Sequence, residues 1–344
     1  MTYSAVMVGC GAMAKGWLKA IAGTPELAGA IEIAGLVDLD IDAAESLRAD
    51  CALPGAKLGT DLDEMLGEVK PDLLFDVVVP GARRRVVSSG LAHGCHVLSE
   101  KPMATSLADA SAMIEAARSA DRIHAIVQNR RFISGVRRIE RFLSEGGIGT
   151  LSGVHCDFFL GPHFGGFREE MDHPLLLDMA IHTFDAARFM AGKAPQSVYC
   201  QEANPAGSWF GHNAAANAVF ELSDGVVFTY RGSWAAEGAN TSWEGNWRFV
   251  GSQGTLLWDG GDRFEARRVA GDTGFMRELE EIAVPDTPST AGTAGHASVM
   301  AEFLDAIATG RKPETDGTDN IESLAMVLGA IESARSGRRV ELIT

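Results

Sequence analysis

The first 125 residues of this 344-residue chain alternate short apolar runs with amphipathic stretches, and this alternation limits the possible folds. We predict strands at residues 5–9, 31–38, 73–79, 96–100 and 124–129, and helices at 41–49, 62–69, 85–93 and 107–120. Strands that are continuously rich in Val, Ile and Leu are typical of a parallel sheet covered on both faces. Right-handed crossovers then give a doubly wound α/β fold, the Rossmann arrangement.

The pattern changes after residue 129. We predict helices at 136–145, 175–190, 297–308 and 320–336, and strands at 151–160, 198–202, 214–222, 226–234, 247–250 and 255–258. Asp224-Gly225 and Asp259-Gly260 between these strands are hairpin signals. The chain is therefore expected to divide into an N-terminal doubly wound α/β domain (1–125) and a C-terminal α+β domain (126–344) with a mainly antiparallel open sheet. The closing helices can pack back on the first domain, and residues 286–295, rich in small residues and Pro, are expected to be loose.

Composition narrows the class of protein. With 46% hydrophobic and 22% charged residues the chain is typical of a globular enzyme, and its net charge of −16 argues against nucleic-acid or anionic-membrane partners. Five scattered cysteines without a CxxC pair indicate reduced thiols. The first residues lack the basic segment and cleavage site of a secretory signal, and no apolar run is long enough to cross a bilayer. We therefore expect a cytoplasmic protein.

A glycine motif follows the first predicted strand and opens a helix. The run Gly9-Cys10-Gly11-Ala12-Met13-Ala14 matches GxGxx(G/A), with Ala14 at the third position. Gly9 permits a tight turn, and Gly11 lets the backbone approach a pyrophosphate at the helix N-terminus. Since a lone glycine motif is weak, the strand–turn–helix context carries this prediction of a dinucleotide site.

Asp38 ends the second predicted strand, where a carboxylate accepts hydrogen bonds from the adenosine ribose hydroxyls and repels a 2′-phosphate. Asp40 and Asp42 follow, and no basic residue lies beside them. The pattern favours NAD over NADP. The alternative is a solvated acidic turn, which suits Asp40 and Asp42 better than Asp38.

Two further segments resemble one enzyme family. They are Val-Leu-Ser-Glu-Lys-Pro at 97–102 and Leu-Leu-Asp-Met-Ala-Ile-His-Thr-Phe-Asp at 176–185. Together they resemble the Gfo/Idh/MocA oxidoreductases, which include glucose–fructose oxidoreductases and inositol dehydrogenases. Asn129-Arg130-Arg131-Phe132 is similar to the domain-crossing segment of that family, and residues 306–313 to its closing helix and turn. The resemblance covers nearly the whole chain.

Lys101 lies at the carboxyl end of a predicted parallel strand, where open α/β sheets bind ligands. An ammonium group there can stabilise negative charge on an oxygen as a hydroxyl becomes a carbonyl. A surface lysine at a strand end is the alternative. The resemblance implies that Lys101, Asp178 and His182 form a polar triad facing a nicotinamide. The expected cofactor site comprises Gly9, Gly11, Ala12, Met13, Asp38, Pro80, Glu100 and Lys101.

Asp178 and His182 are four residues apart on one predicted helix, so both should project from one face. Histidine exchanges protons near neutral pH, and a carboxylate can orient its ring. The resemblance implies that His182 is the acid/base and Asp178 its partner or a substrate ligand. The pair could also be a surface ion pair or part of a metal site, with His163, Asp172 and His173 as further ligands; we expect no metal. Asp185 either supports His182 or faces solvent.

Several residues are candidates for the substrate pocket. Arg168 resembles a family position that helps to build the site, or it forms an interdomain ion pair. His173 and Pro174 stand where many relatives carry glycines and should reshape the pocket wall; alternatively, Pro174 has a structural role in the first turn of the following helix. The polar, tryptophan-rich stretch 233–244 contains Trp234, Asn240 and Trp243. Such residues suit a carbohydrate or polyol; alternatively they cover the sheet or an oligomer interface. Trp209 and His212 are weaker candidates.

Arg83, Arg84 and Arg85 lie near a predicted helix N-terminus, where cations oppose the helix dipole. Either acidic neighbours or an anionic ligand must compensate them, and we favour the neighbours.

The sequence therefore predicts an NAD-dependent dehydrogenase for a secondary hydroxyl of a sugar, sugar acid or cyclitol. The alternatives are an NAD-dependent glycosidase of the same family and a non-catalytic NAD or sugar sensor. A homodimer or homotetramer formed through the C-terminal sheet is expected, without nucleic-acid or membrane partners.

Overall fold

The computed structural model describes residues 2–286 and 295–343. These residues form two compact units, one made of 2–129 and 295–324 and the other of 130–286 and 325–343. Most of the segment predicted to be loose, 286–295, lies outside the described residues.

The first unit contains a six-stranded parallel sheet of order β3-β2-β1-β4-β5-β6. The strands are β1 (Tyr3–Val8), β2 (Ile31–Val37), β3 (Lys57–Gly59), β4 (Leu73–Asp76), β5 (His96–Ser99) and β6 (His124–Ile126). The helices are α1 (Ala12–Ala22), α2 (Pro25–Ala30), α3 (Ile41–Asp50), α4 (Leu62–Val69), α5 (Pro80–Ala92) and α6 (Leu107–Ala120). The strand order reverses between β1 and β4, which is where such sheets bind ligands. The predicted doubly wound fold is confirmed.

Two predicted boundaries around β4 are wrong. The strand expected over 73–79 ends at Asp76, and α5 begins at Pro80 rather than at residue 85. Proline has a backbone angle suited to the first helical position and needs no intrahelical N–H bond there, so it starts α5 five residues early. Sequence periodicity also missed β3 and α2, which are too short to show a period.

The second unit contains a nine-stranded sheet of order β14-β13-β12-β11-β7-β10-β9-β8-β15. Its strands are β7 (Leu151–Phe159), β8 (Pro195–Ala203), β9 (Ala215–Leu222), β10 (Val227–Ser233), β11 (Asn246–Gly251), β12 (Gly254–Trp258), β13 (Phe264–Val269), β14 (Leu279–Ile282) and β15 (Val340–Glu341). The β7–β10 pair is parallel and the other pairs are antiparallel. The predicted mainly antiparallel sheet is confirmed, although the sequence analysis missed β13, β14 and β15.

Helices cover the core of the second unit. They are α7 (Ser134–Ser144), the short α8 (Phe167–Glu170), a π-helical segment (Leu175–Ala180), α9 (Ile181–Ala191) and residues 325–336 of the last helix, which bury Met326, Val327 and Ala330 in this core. Phe184 of α9 is fully buried, and its ring meets those of Phe220, Phe228 and Tyr230 edge-on. These contacts fix α9 on the sheet.

The chain closes with α10 (His296–Thr309), α11 (Gly317–Ser336) and β15. Helix α10 belongs to the first unit and packs on α1 and α2. Among the described residues, no helix is both long and apolar enough to cross a membrane.

Candidate functional site

The glycine loop has the geometry that a dinucleotide needs. Gly9 has a φ of +88°, and a Cβ there would lie 2.8 Å from the Val77 carbonyl oxygen, so a side chain does not fit. Gly11 caps α1, and a Cβ there would meet no atom within 4 Å. Ala12 and Met13, in the exposed first turn, surround this open backbone. The loop therefore fits a pyrophosphate at the positive end of α1.

Asp38 is fixed beside this loop by two backbone groups. Its Oδ2 accepts a hydrogen bond from the Cys10 amide at 2.7 Å, and its Oδ1 accepts one from the Asp40 amide at 3.0 Å. Each carboxylate oxygen has two lone pairs, so both can still accept a ribose hydroxyl. Asp40 caps α3 through the Asp42 amide at 3.1 Å and is a structural residue.

Cys10, between the two glycines, is buried under the loop. Burial, followed by the negative charge of Asp38, raises the pKa of its thiol to about 12. The thiol is therefore protonated at neutral pH and fills space without reacting as a nucleophile.

Glu100 is buried at the end of β5, and groups of the first unit surround its carboxylate. Its Oε1 accepts a hydrogen bond from Trp17 Nε1 at 2.8 Å and lies 3.0 Å from His296 Nε2, while its Oε2 accepts the Lys101 amide at 3.1 Å. Burial opposes ionisation, but the bonds from His296 and Trp17 outweigh it and hold the pKa of Glu100 below its usual value. Glu100 thus joins α1 and α10 to the backbone that carries Lys101.

Lys101 and Pro80 lie at the same carboxyl edge of the sheet, after β5 and β4 respectively, and both are half-buried. The edge also carries Arg83, which is buried and paired with Asp76. Its neighbour Arg84 pairs with Asp109 at 2.7 Å. These ion pairs agree with the acidic neighbours that we favoured for the arginine cluster.

In the second unit, Asp178 lies in the π-helical segment and pairs with Arg168. Arg168 Nε donates to Asp178 Oδ2 at 2.8 Å, and the guanidinium lies over the rings of Phe164 and Phe167, 5.2 and 4.9 Å from their centres. The sequence analysis considered Arg168 and Asp178 separately; the structure joins them. The two rings add a cation–π attraction to this ion pair, which stays partly open to solvent, with the side chains of Arg168 and Asp178 31% and 16% exposed.

His182 lies in the first turn of α9, after the π-helical segment. The prediction of one regular α-helix over 175–190 is therefore wrong at its start, because i→i+5 bonds widen the turns that carry Asp178. A small cavity near His182 is lined in part by Arg130, Met179, Trp243 and Glu244. Arg130 bonds Glu244 and the Trp243 carbonyl, and this fixes the wall beside the imidazole.

Asp185 is fully buried, so the alternative that it faces solvent is wrong. Arg131 donates to both of its oxygens, Nε to Oδ2 and Nη2 to Oδ1, each at 2.7 Å. This bidentate pair ties the segment after β6 to α9. The sequence analysis did not pair the two residues, because they are far apart in the chain.

The three residues considered as further metal ligands have separate partners. His163 stacks on Trp209 and lies 3.0 Å from Glu237, His173 pairs with Glu202 at 2.6 Å, and Asp172 pairs with His212 at 3.3 Å. Within residues 2–286 and 295–343, no group of three His, Cys, Asp or Glu side chains could hold a metal ion. The hydrogen bond to Glu202 raises the pKa of His173, which favours its cationic form.

The tryptophan-rich stretch divides into buried and accessible parts. Trp234 is only 2% exposed and packs on Phe164 and Phe210, so little of its ring is left for a ligand. Trp243 is 46% exposed, with its ring centre 6.5 Å from that of Phe164, and Asn240 is exposed. Trp243 and Asn240 are therefore the accessible members.

Comparison with known families agrees with this geometry. Residues 3–128 match the family model described as "Oxidoreductase family, NAD-binding Rossmann fold", and residues 136–257 match the "GFO/IDH/MocA C-terminal domain". The fold and site thus define an oxidoreductase with an NAD-binding Rossmann domain. The chain belongs to the Gfo/Idh/MocA family.

Individual relatives are similar over the whole chain. The D-apiose dehydrogenase of Paraburkholderia graminis is 26% identical over 348 residues, 99% of this chain and 90% of the relative. An oxidoreductase from Agrobacterium radiobacter, solved with NAD+, L-tartaric acid and magnesium, has a TM-score of 0.85 at 22% identity and 99% coverage of both chains. The WlbA dehydrogenase of Bordetella pertussis, solved with NADH and UDP-GlcNAcA, has a TM-score of 0.81 at 21% identity and 100% coverage of both chains. At these identities, the likeness to the solved structures shows a shared fold.

Proposed function

We propose that this protein is an NAD-dependent dehydrogenase that oxidises a secondary hydroxyl of a sugar, sugar acid or cyclitol. The observation that carries the proposal is the position of Lys101 two residues after β5, at the sheet edge that also bears the glycine loop. This is the edge at which open α/β sheets bind their ligands. An ammonium group there suits an oxygen that gains negative charge.

The proposed roles follow from the chemistry of each group. Lys101 donates a hydrogen bond to the substrate oxygen as the carbonyl forms, and His182 accepts the hydroxyl proton. Asp178, held by Arg168 at 2.8 Å, orients the imidazole or binds a substrate hydroxyl. When bound, NAD supplies the nicotinamide C4 that accepts the hydride from the substrate carbon.

We also propose that Asp38 sets the preference for NAD over NADP. The Cys10 and Asp40 amides hold its carboxylate in place. A fixed negative charge at this position repels a 2′-phosphate, while its free lone pairs accept ribose hydroxyls. Gly9, Gly11, Ala12 and Met13 would hold the pyrophosphate; contacts from Pro80, Glu100 and Lys101 remain predictions.

The sugar-like substrate class is supported by the accessible side chains of the second unit. Trp243 offers an apolar ring face, and Asn240, Arg168 and His173 offer polar groups at least partly open to solvent. Ring faces that stack on C–H surfaces, combined with polar hydrogen-bonding groups, suit a polyhydroxylated ligand. Relatives named as D-apiose and D-xylose dehydrogenases agree with this class. Trp234, being buried, would act only by supporting the wall.

We further propose that the protein forms a homo-oligomer through the second sheet. Tyr199, Val219 and Val227 lie on three consecutive strands and are 38–49% exposed. Exposed apolar side chains on a broad sheet are typical of an interface. Light scattering of the wild type and of Val219→Lys tests this, and a monomeric wild type would contradict it.

A cytoplasmic location stays a prediction, with which the five free thiols agree.

The assay that tests the function follows NADH absorbance while the protein is offered a panel of aldoses, sugar acids and cyclitols. We expect NADH to accumulate with members of one group, and the signal to disappear in His182→Ala. Free sugar released from glycosides without net NADH would instead identify an NAD-dependent glycosidase. Binding of NAD and a sugar without turnover of any compound would identify a sensor.

A further inference from the structure

Arg83 is a buried cation at the carboxyl edge of the first sheet. It lies in the first turns of α5, and its side chain is 1% exposed. Its Nε donates to Asp76 Oδ2 at 2.8 Å, and Asp76, the last residue of β4, is fully buried. The first unit therefore contains a sealed ion pair directly under the edge where ligands of such sheets bind.

The other two guanidinium nitrogens bond the backbone of two loops. Nη2 donates to the Val78 carbonyl at 2.7 Å, in the loop between β4 and α5. Nη1 donates to the carbonyl of Pro102, the residue after Lys101. One side chain thus joins the loops that follow two neighbouring strands, and one of these loops carries Lys101.

Asp76 is itself held from several sides. Its Oδ1 accepts the Val78 amide at 3.2 Å, and it receives a hydrogen bond from the Ser99 hydroxyl. Ser99 Oγ lies 3.0 Å from Nε2 of His124, whose pKa is lowered to about 3, first by burial and then by the charge of Arg83. His124 is therefore neutral, and the anchor of Arg83 is a network that spans β4, β5 and β6.

We propose that Arg83 is a positioning residue, which holds the Lys101 loop and the loop before α5 in fixed register at the cofactor edge. The assignment of Arg83 rests on the proposed function only in so far as Lys101 acts on substrate. A planar guanidinium can satisfy three acceptors in different directions, whereas a lysine ammonium cannot reproduce this fork. A purely structural pair is a weak explanation, because apolar side chains of similar volume often stabilise as well as a buried ion pair.

Helix α5 offers a matched control. Arg84 adjoins Arg83 and makes an ion pair with Asp109, but its side chain is 59% exposed. Arg83→Lys and Arg84→Lys are therefore the same chemical change on one helix, and only the first removes the link between the loops. Both variants are compared with the wild type as intact chains.

Two measurements on the protein without added NAD report on the loops directly. The first is amide hydrogen exchange in peptides covering residues 77–82 and 99–104. The second is the rate at which an amine-reactive reagent labels Lys101, followed by mass spectrometry. In Arg83→Lys we expect about tenfold faster exchange in both segments, since buried hydrogen bonds are lost there, and a changed Lys101 labelling rate. Arg84→Lys should match the wild type in both measurements.

NAD titration gives a third measurement. Arg83→Lys should weaken NAD binding by several-fold, while Arg84→Lys should not change it. If exchange in Arg83→Lys rises equally throughout the first unit, and Lys101 labelling and NAD affinity are unchanged, Arg83 only stabilises the core and the proposal is wrong. If Arg83→Lys does not fold, Ser99→Ala tests the same network, and unchanged labelling of Lys101 in that variant also overturns the proposal.

The proposed function fails by a different result. If Lys101→Ala retains full turnover, Lys101 is not catalytic, but the exchange data still decide whether Arg83 holds the loops. Conversely, a dead Lys101→Ala variant with unchanged loops in Arg83→Lys would support the catalytic role and reject the positioning role.

Discussion

The polar groups that support the cofactor edge of the first unit are more deeply buried than the polar groups of the second unit that we propose for substrate binding. In the first unit, Asp76, Arg83, Glu100 and His124 are each at most 7% exposed, and each has a partner several residues or whole elements away. In the second unit, the side chains of Arg168, Asp178 and His173 are 31%, 16% and 24% exposed. The first set is sealed, and the second is open on one side.

The difference fits the two kinds of ligand. A dinucleotide presents the same pyrophosphate and ribose to every protein that binds it, so a rigid and buried support is favourable. The substrate wall that we propose for the second unit would gain from paired groups that water and ligand can reach, such as Arg168, whose guanidinium lies near the rings of Phe164 and Phe167. We therefore expect substitutions in the first unit to change NAD binding or stability more than substitutions in the second unit do.

The largest effect of this series is expected at the two glycines of the loop. Gly9→Ala must place a Cβ 2.8 Å from a carbonyl oxygen at a positive φ, which costs about 1–3 kcal/mol in backbone strain before the collision is counted. At Gly11 a Cβ would meet no other atom, so Gly11→Ala should be as stable as the wild type. It should nevertheless weaken NAD binding by roughly tenfold or more, as expected for losing one backbone hydrogen bond to the pyrophosphate. Thermal melting and NAD titration separate the two effects. Full NAD affinity in Gly11→Ala would show that the pyrophosphate does not approach the backbone at Gly11.

A smaller effect is expected for Asp38→Asn. The amide side chain has one acceptor oxygen, so it can keep the bond from the Cys10 amide but loses the bond from the Asp40 amide and the charge that repels a 2′-phosphate. The ratio of NAD to NADP affinity should fall about tenfold, the equivalent of one charged interaction. Asp42→Asn, an exposed acid in the first turn of α3, is the control and should leave the ratio unchanged. An unaltered ratio in Asp38→Asn would contradict the proposed cause of NAD preference.

Because of His124, we expect the first unit to lose stability as the pH falls. An unfolded histidine has a pKa near 6.5, whereas burial lowers that of His124 to about 3, so unfolding between these values takes up a proton. The free energy of unfolding should then decrease by about 1.4 kcal/mol per pH unit from this group as the pH falls. Denaturant titrations should show a flatter dependence in His124→Gln. The exposed His93→Gln is the control, and a slope in His124→Gln equal to that of the wild type would reject the explanation.

For His173 we expect stability to depend on pH in the opposite direction, with the smallest effect of this series. Its pKa is raised, mainly by the hydrogen bond to Glu202, so its contribution is complete below the unfolded pKa of about 6.5 and is lost as the pH rises through the higher folded pKa. Because the pair is partly exposed, we expect a loss of only about 1–2 °C in melting temperature over that rise. In His173→Gln this loss should be absent. A wild type that gains stability over the same rise, relative to His173→Gln, would contradict the ion pair.

The comparison of the two units also shows which features of the fold and site can be predicted from the sequence. The glycine loop, Asp38 and the parallel strands depend on neighbouring residues, and local patterns were sufficient to find them. The π-helical segment that carries Asp178 has the apolar composition of an ordinary helix, so periodicity could not distinguish it. The short edge strands β14 and β15 lack the alternation that reveals a half-buried strand.

Long-range pairs were the main omission. Glu100 and His296 are 196 positions apart, and Arg131 and Asp185 are 54 apart, so no local pattern joins them. For Arg83, Arg84 and Arg85 the sequence predicts compensation by acidic neighbours or an anionic ligand, but it does not identify Asp76 as the partner of Arg83. Charged residues are seldom buried unless they are paired, and Asp76 lies within a predicted apolar strand. Only the folded sheet brings these groups together.

We propose that Lys101 acts mainly in turnover, and that its predicted contact with the cofactor adds little to NAD affinity. The direct test compares Lys101→Ala with the wild type for NAD affinity and for NADH formation on whichever sugar, sugar acid or cyclitol the panel identifies. Lys57→Ala is the control, because Lys57 is an exposed lysine of the same unit that pairs with Glu68 at 2.8 Å. We expect kcat to fall by about 10²–10³ in Lys101→Ala, as for removal of one group that stabilises a developing oxyanion, while NAD affinity stays that of the wild type. Full turnover in Lys101→Ala, or a loss of activity that is explained by failure to bind NAD, would rule out this role of Lys101.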